Sequence, residues 1–310
     1  MAGILSDEEL RKFAIDLLSI PSDRTRQTRI GASNLSNQCD RDLAYDLLGI
    51  KRSNPQAERI WMNAEIGTAI HSLQEERLEY AIRRAIDAIV DAAPGAKAER
   101  HVWFGHIEGY GDIGGTIDLD LELQIADWKG SSRQKSCILQ DFIAIQRGEE
   151  PPFGRKHKNV AGPGRGMMPQ AEYDKEMTKV EYKMTGYYGQ QSLYMLGREK
   201  EGRPVDRGSI IWINRDGNGY FDVPSLARYD DPKAVHDVWP LTFAYNRGYA
   251  LDLIARGQRI WDALQAGATP NDFDAHELCW WCSMQAEAEE KKAQPIGNLD
   301  APIMFEQVAA

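Results

Sequence analysis

The chain has 310 residues, of which 42% are hydrophobic, and a formal net charge of −10. It contains no apolar run of the roughly 18 residues that a membrane span needs, and its first residues are acidic where a secretory signal is basic. We therefore expect a cytoplasmic protein. The negative charge argues against a nucleic-acid binder that works by bulk positive charge, although basic groups can still line one channel of an acidic enzyme.

The N-terminal third of the sequence is predicted to be helical. One helix is expected to begin at Ser33 and to end at Gly49, because serine is a favoured N-cap and glycine a favoured stop. From 57 to 92, isoleucine and leucine recur at helical spacing, which predicts one long helix or two shorter ones. Pro94 and Gly95 end this segment.

Strands and helices then alternate along the chain. The expected strands are 100–104, 113–121, 123–128, 209–214 and 220–223. The expected helices are 138–145, 179–198 and 234–266. The sequence Asp-Gly-Asn-Gly at 216–219 predicts a hairpin turn between the last two strands, and Pro240 is a potential break in the last helix.

Two aspartates and a lysine on neighbouring predicted strands form the most informative pattern. Asp127 and Lys129 are two residues apart on one strand, so their side chains point to the same face. Asp118 lies on the preceding strand, and a hairpin brings its carboxylate beside that of Asp127. Neighbouring carboxylates repel each other unless a cation lies between them, and Mg²⁺ or Mn²⁺ suits oxygen ligands. A D-x-K triplet alone is also typical of a solvated strand face.

A metal ion at this position favours phosphoryl chemistry. It would polarise a phosphoryl oxygen and acidify a bound water. Lys129 would orient that water or stabilise negative charge in the transition state. The backbone carbonyl of Trp128 would be a further oxygen ligand.

Two helical motifs supply further candidates. Gly67 permits close packing of the long helix, and the imidazole of His71 would reach the metal. Gln190 and Tyr194 are four residues apart on a later helix and share a face, so they would hydrogen-bond the lysine or a substrate phosphate. The alternatives are an ordinary core or surface histidine, and a polar edge beside an aromatic core.

The four motifs, taken in order, resemble those of the RecB-like branch of the PD-(D/E)xK nucleases, which includes CRISPR-associated and phage exonucleases. That branch has the order G-x-x-x-H, G-x-x-D, D-x-K and Y-x-x-Q-x-x-x-Y. The corresponding residues here are Gly67 to His71, Gly115 to Asp118, Asp127 to Lys129 and Tyr187 to Tyr194. Ile117 precedes Asp118 in place of proline, a difference that the branch tolerates.

The resemblance implies an α/β fold with a central mixed β-sheet flanked by helices, and helical additions at both ends. It implies a Mg²⁺ or Mn²⁺ ion held by His71, Asp118 and Asp127, with Lys129 catalytic and Gln190 and Tyr194 in support. The implied activity is hydrolysis of phosphodiester bonds in DNA, at linear or single-stranded ends, in recombination, repair or phage DNA processing. The cytoplasm would be that of the host if a phage encodes the protein. A non-catalytic DNA-binding or assembly subunit and an enzyme acting on RNA are the alternatives.

The chain has four cysteines, Cys39, Cys137, Cys279 and Cys282. In a cytoplasmic chain of this size they indicate free thiols or a metal site more than disulfides. The nuclease branch often holds an iron–sulfur cluster with one cysteine before the core and three after it. Cys39 and the C-x-x-C of Cys279 and Cys282 resemble that arrangement, but Ala288 stands where the last cysteine is expected.

His276 offers a fourth ligand to replace the missing cysteine. The pattern H-x-x-C-x-x-C together with Cys39 gives three thiolates and one imidazole, a set that suits structural zinc. A four-iron four-sulfur cluster and three ordinary buried thiols remain the alternatives. Either metal would connect parts of the chain that are about 240 residues apart. Cys137 fits neither pattern and is expected to be a core thiol.

A Gly/Pro-rich stretch at 151–170 is expected to be a basic loop. It would bind DNA phosphates through Arg155, Lys156, Lys158 and Arg165, or else be a solvated loop. The expected organisation is an N-terminal helical segment with the upstream cysteine at 1–56, a nuclease core at 57–230, a C-terminal helical segment with the C-x-x-C at 231–290, and a tail at 291–310.

Overall fold

A five-stranded β-sheet with helices packed against it forms the centre of the computed structural model, which describes residues 30–50, 69, 72–73, 75–80, 96–154, 168–214 and 238–283. The strands are β1 Lys97–Ile107, β2 Gly111–Asp120, β3 Gln124–Ser131, β4 Arg207–Asn214 and β5 Val238–Ala244. The helices whose two ends lie within the described residues are α1 Ala32–Leu35, α2 Asp40–Leu47, α3 Arg133–Gln146, α4 Gln170–Lys200 and α5 Arg247–Gln265, followed by a 3₁₀ turn at Pro270–Asp272. Residues 69, 72–73, 75–80 and 280–283 are also helical. The expected α/β class, with a mixed sheet flanked by helices, is confirmed.

The strands lie side by side in chain order, from β1 at one edge to β5 at the other. Neighbouring strands are antiparallel except β3 and β4, which are parallel. Parallel neighbours need a crossover connection, and α3 and α4 lie in that connection. The crossover therefore brings the long helix α4 across the sheet, where it contacts β1, β2, β3 and β4.

The apolar residues of β1 and β2 explain why helices cover this sheet. Val102 and Phe104 on β1, and Ile113 and Ile117 on β2, are completely buried. They belong to one hydrophobic core with residues of α4 and α5, such as Leu193. Alternation along each strand directs these side chains to one face, so burial of that face fixes the position of the helices.

Two glycines allow α4 to lie close to its neighbours. A Cβ atom on Gly189 would lie 2.8 Å from the Cβ of Ser36, and one on Gly197 would lie 2.9 Å from the Cβ of Val102. Real Cβ atoms do not approach so closely, so larger residues at either position would push the helix away. The polar face of α4 is thereby held next to both the N-terminal segment and the sheet.

Two sequence predictions about secondary structure are wrong in part. The helix predicted for 234–266 begins only at Arg247, because Val238–Ala244 forms strand β5. Pro240, which lies opposite Ile211, fits an edge strand because such a strand can leave one side of its backbone unpaired. The helix predicted between Ser33 and Gly49 is divided into α1 and α2.

Several predictions lie outside the described residues. These are Gly67 and His71, the loop residues Arg155, Lys156, Lys158 and Arg165, strand 220–223 with its turn at 216–219, Ala288 and the tail at 291–310. They stay predictions, as do the domain boundaries. Among the helices that the structure describes, none combines the length and the apolar character needed to cross a membrane.

Candidate active site

The site begins where β2 and β3 separate. These strands pair only at Leu119 with Ala126 and at Asp120 with Ile125. One step further along, where the same register would place Asp118 opposite Asp127, the backbone N–H of Trp128 donates to the carboxylate of Asp118 at 2.9 Å. A side chain thus takes the place of a backbone acceptor, and the strands open at the two carboxylates.

Asp127 and Lys129 form an ion pair on the same face of β3. The side chain of Asp127 is only 2% exposed, whereas that of Lys129 is 23% exposed. Burial raises the pKa of Asp127 to about 7, and repulsion by Asp118 acts in the same direction against the attraction of Lys129. Although burial acts to lower it, the pKa of Lys129 is raised because Asp127, Tyr187 and Asp118 favour the ammonium form.

Helix α4 covers the pair with polar and aromatic side chains. The amide of Gln190 donates to Asp127 at 3.5 Å and to the hydroxyl of Tyr194 at 3.2 Å. The ammonium group of Lys129 lies 5.4 Å from the centre of the Tyr187 ring, within cation–π range. Gly115 leaves room for Tyr194, since a Cβ at that position would lie 2.9 Å from Cε1 of the tyrosine.

A buried arginine supports the hairpin that carries the two aspartates. Arg198 of α4 is 1% exposed and forms an ion pair with Asp120. It also donates to the carbonyl of Glu122 at 3.0 Å, while Arg100 contacts Asp120 from β1 at 2.9 Å. These bonds hold the turn after β2 against α4. The sequence pattern does not predict this contact, although an arginine within the apolar end of α4 is a signal for it.

The oxygen atoms of this site fit a hard divalent cation. Oδ2 of Asp127 is buried, and it pairs with the ammonium group of Lys129. Together with Asp118 it would provide carboxylate ligands for Mg²⁺ or Mn²⁺. The structure brings together Asp118, Asp127, Lys129, Gln190 and Tyr194. His71 lies outside the described residues, and the carbonyl of Trp128 as a ligand stays a prediction.

A second group of metal-ligating side chains, here named the thiol cluster, consists of Cys39, Cys279 and Cys282. Their sulfur atoms lie within 4.8 Å of one another, and all three residues are buried. Cys39 precedes α2, and its sulfur lies 3.5 Å from that of Cys282. Cys137, also buried, lies outside this group, as expected of a core thiol.

The surroundings of the thiol cluster favour ionisation of one thiol, that of Cys39. Hydrogen bonding from Cys279 lowers the pKa of Cys39 to about 5, and the backbone N–H groups of His276 and Asp42 act in the same direction against burial. Burial raises the pKa of Cys282 to about 11. A thiolate is the form of cysteine that binds metal, so Cys39 is the natural first ligand.

The geometry of the thiol cluster fits a single tetrahedral ion. Zn–S bonds of about 2.3 Å in a tetrahedron place the sulfurs about 3.8 Å apart, close to the 3.5 Å between Cys39 and Cys282. A four-iron cluster would hold its ligands further apart. His276 is not within the group among the described residues: its Nδ1 accepts from the N–H of Leu278 at 3.1 Å, and its ring packs on Tyr182. Its role as fourth ligand, through Nε2, stays a prediction.

Comparisons with known proteins give structural but no sequence similarity. No protein-family model and no curated protein matches the chain. The chain is similar to an alkaline exonuclease from Laribacter hongkongensis, with 10% identity, a TM-score of 0.39 and coverage of 88% of this chain and 97% of that one. A structure of that exonuclease in complex with dAMP gives 11% identity, a TM-score of 0.35 and coverage of 87% and 97%. A phage-related exonuclease from Haemophilus somnus 129PT gives 12% identity, a TM-score of 0.31 and coverage of 77% and 95%.

Proposed function

We propose that the protein is a Mg²⁺- or Mn²⁺-dependent deoxyribonuclease of the PD-(D/E)xK type that hydrolyses phosphodiester bonds at DNA ends, in recombination, repair or phage DNA processing. The observation that supports this most strongly is the meeting of Asp118, Asp127 and Lys129 where β2 and β3 separate. Two carboxylates beside an ammonium group suit a cation and a phosphate at adjacent positions.

Each residue of the carboxylate site would have a separate role in the reaction. Asp118 and Asp127 would hold the divalent ion, which when bound polarises a phosphoryl oxygen and acidifies a water. Lys129 keeps its proton because its pKa is raised, so it orients the water or stabilises charge on the phosphate and does not act as a base. Gln190 donates to Asp127 and to Tyr194, and its bond to Asp127 would hold that carboxylate in position.

Substitution of the lysine tests the proposal. With Mn²⁺ and labelled linear DNA, we expect the wild type to cut and Lys129→Ala to be slower by about 10²- to 10³-fold, the usual cost of removing one transition-state contact. Lys97→Ala, which changes an exposed lysine of the same sheet, should cut at the wild-type rate. Absence of metal-dependent cutting by the wild type, or equal rates for the two variants, would refute the proposal.

The substrate is tested with the same protein. An enzyme that acts at ends should degrade linear DNA and leave closed circular DNA intact. Competition between matched DNA and RNA strands separates a deoxyribonuclease from an enzyme acting on RNA. Persistent DNA binding in EDTA, with no cutting under any metal, would favour the non-catalytic subunit.

We also propose that the thiol cluster holds a structural zinc ion. Three buried sulfurs within 4.8 Å of one another support this, as does the tendency of Cys39 to ionise. The ion would connect the start of α2 to the segment around Cys279. Its contribution would be to stability, since the cluster is built from elements other than those that hold Asp118 and Asp127.

A further inference from the structure

A row of lysines runs along one face of α4 towards the candidate active site. This lysine row consists of Lys175, Lys179 and Lys183, which are spaced four residues apart and therefore share a helical face. Successive members are about 6 Å apart along the helix axis. The same face continues to Tyr187 and Gln190, which contact Lys129 and Asp127.

The lysine row lines two adjoining clefts. All three lysines line a cleft of about 620 Å³, which Gln190 and Trp280 also line. Lys179 and Lys183 line a second cleft of about 300 Å³, together with Gly130, the residue after the catalytic lysine candidate. A chain lying along the row thus reaches the carboxylate site.

The row concentrates positive charge in a protein whose net charge is −10. Lys179 pairs with Glu176 at 2.5 Å, whereas Lys175 and Lys183 form no ion pair with any residue that the structure describes. Partial burial lowers the pKa of Lys183, and repulsion by Lys135 and Lys179 lowers it further against the attraction of Glu176. Such crowding of like charges is unfavourable unless an anion neutralises it. The acidic residues Asp42 and Glu277 also line the larger cleft, and Glu176 lines the smaller one.

Two tryptophans line the larger cleft beside the lysine row. Trp280 is 43% exposed, and its ring centre lies 4.6 Å from that of Trp281 in an edge-to-face arrangement. Trp281 packs against the thiol cluster. An exposed indole beside basic side chains is the combination that binds unpaired bases and their phosphates.

We propose that this cleft holds the single-stranded part of the DNA substrate, with backbone phosphates on the lysine row and an unpaired base against Trp280. The inference rests on the proposed function and names how that substrate approaches the site. A single strand is favoured over a duplex because bases must be unpaired to stack on a side chain. The thiol cluster would then position Trp280 through Trp281.

Binding in EDTA tests the proposal without cleavage. The full-length protein is titrated into a fluorescein-labelled oligothymidine and into a labelled duplex, at several salt concentrations. The variants are the triple Lys175→Gln, Lys179→Gln, Lys183→Gln, the single Trp280→Leu, and a control Lys97→Gln, Lys200→Gln, which changes exposed lysines away from the cleft. Mn²⁺-dependent cutting is measured in parallel.

The expected results differ between the variants. The triple variant should reduce the slope of log affinity against log salt by about 2, since each phosphate contact to a single strand contributes about 0.7. Trp280→Leu should weaken single-strand binding on the order of tenfold with the slope unchanged, because it removes a stacking contact. The control should bind as the wild type does.

Two outcomes would overturn the inference. An unchanged salt slope in the triple variant would show that the lysine row does not contact phosphates. Equal losses for the single strand and the duplex after Trp280→Leu would show that no unpaired base stacks there. If the wild type cuts DNA in either case, the proposed function still holds. If the wild type never cuts DNA but binds it through the lysine row, the proposed function is refuted and the cleft proposal still holds.

Discussion

The carboxylate site and the thiol cluster both gather metal-ligating side chains, but they are assembled differently. Asp118 and Asp127 come from neighbouring strands joined by a short turn, and their separation is set by the register of one hairpin. Cys39 and Cys279 lie about 240 residues apart in the chain, and strands β1 to β5 and helices α2 to α5 lie between them in sequence.

The two sites also differ in their effect on stability. Burial and mutual repulsion raise the pKa of Asp127, so without a cation the ionised site opposes folding. This is the pattern of a group retained for function. The thiol cluster joins the ends of a long loop, where a metal restricts the unfolded chain most. This difference is what we expect if, as proposed, the carboxylate site serves chemistry and the thiol cluster serves stability.

The largest expected effect is on the rate of DNA cleavage. Asp127→Asn keeps the shape of the side chain but removes the charge that a cation needs, so we expect cutting in Mn²⁺ to fall on the order of 10³-fold. The free energy of unfolding in EDTA should not fall, because a buried charge is removed. Asp112→Asn, on an exposed carboxylate of the neighbouring strand β2, is the control and should change neither quantity. A marked loss of stability in Asp127→Asn would instead assign a structural role to this carboxylate.

The next largest effect is on stability, and it distinguishes the thiol cluster from the carboxylate site. Cys39→Ser should lower the free energy of unfolding by at least about 3 kcal/mol, since structural zinc contributes much of the folding energy of its site. The wild type should release zinc and lose stability in a strong chelator, whereas the variant should not respond.

Cys137→Ser is the matched control for this experiment, because Cys137 is buried but lies outside the cluster. Burying a hydroxyl there should cost about 1–3 kcal/mol, and chelator should destabilise this variant as it does the wild type. A purified wild type that contains no zinc, and that has the same thermal midpoint with and without chelator, would refute the zinc proposal.

The smallest effect is the pH dependence of the carboxylate site. With the pKa of Asp127 at about 7 in the metal-free protein, protons compete with the cation below that pH. Affinity for Mn²⁺ should therefore rise by up to about tenfold per pH unit below about 7 and level off above it. Calorimetric titrations of the wild type and Asp127→Asn check this, since the variant should lose the dependence. An affinity that is flat across this range would contradict it.

The raised pKa of Asp127 also determines the direction in which the free energy of unfolding changes with pH. The protonated carboxyl favours the folded state, so the free energy of unfolding of the metal-free wild type should fall as pH rises from about 4, the unfolded pKa, to about 7. Above that value the contribution is constant. Urea unfolding of wild type and Asp127→Asn at several pH values isolates the contribution of this group.

Much of the sheet could be predicted because its strands have clear local patterns. Alternation predicted β2 and β3 and the shared face of Asp127 and Lys129, and the positions of Asp118 and Asp127 in one hairpin followed from the short turn. Strand β5 could not be predicted in this way. The residues of β5 lie just before α5, within the segment predicted as one helix. Pro240 excludes a central strand but not an edge strand, so only the pairing of β5 with β4 identifies the strand.

The sequence by itself determined relationships over two to four residues, such as Asp127 with Lys129 and Gln190 with Tyr194, because backbone geometry fixes which side chains share a face. The tertiary structure decided the contacts between distant segments. Arg198 meets Asp120, the three cysteines meet one another, and Trp280 lies beside the lysine row. Those contacts depend on how α4 packs across the sheet, and no spacing along the chain specifies that packing.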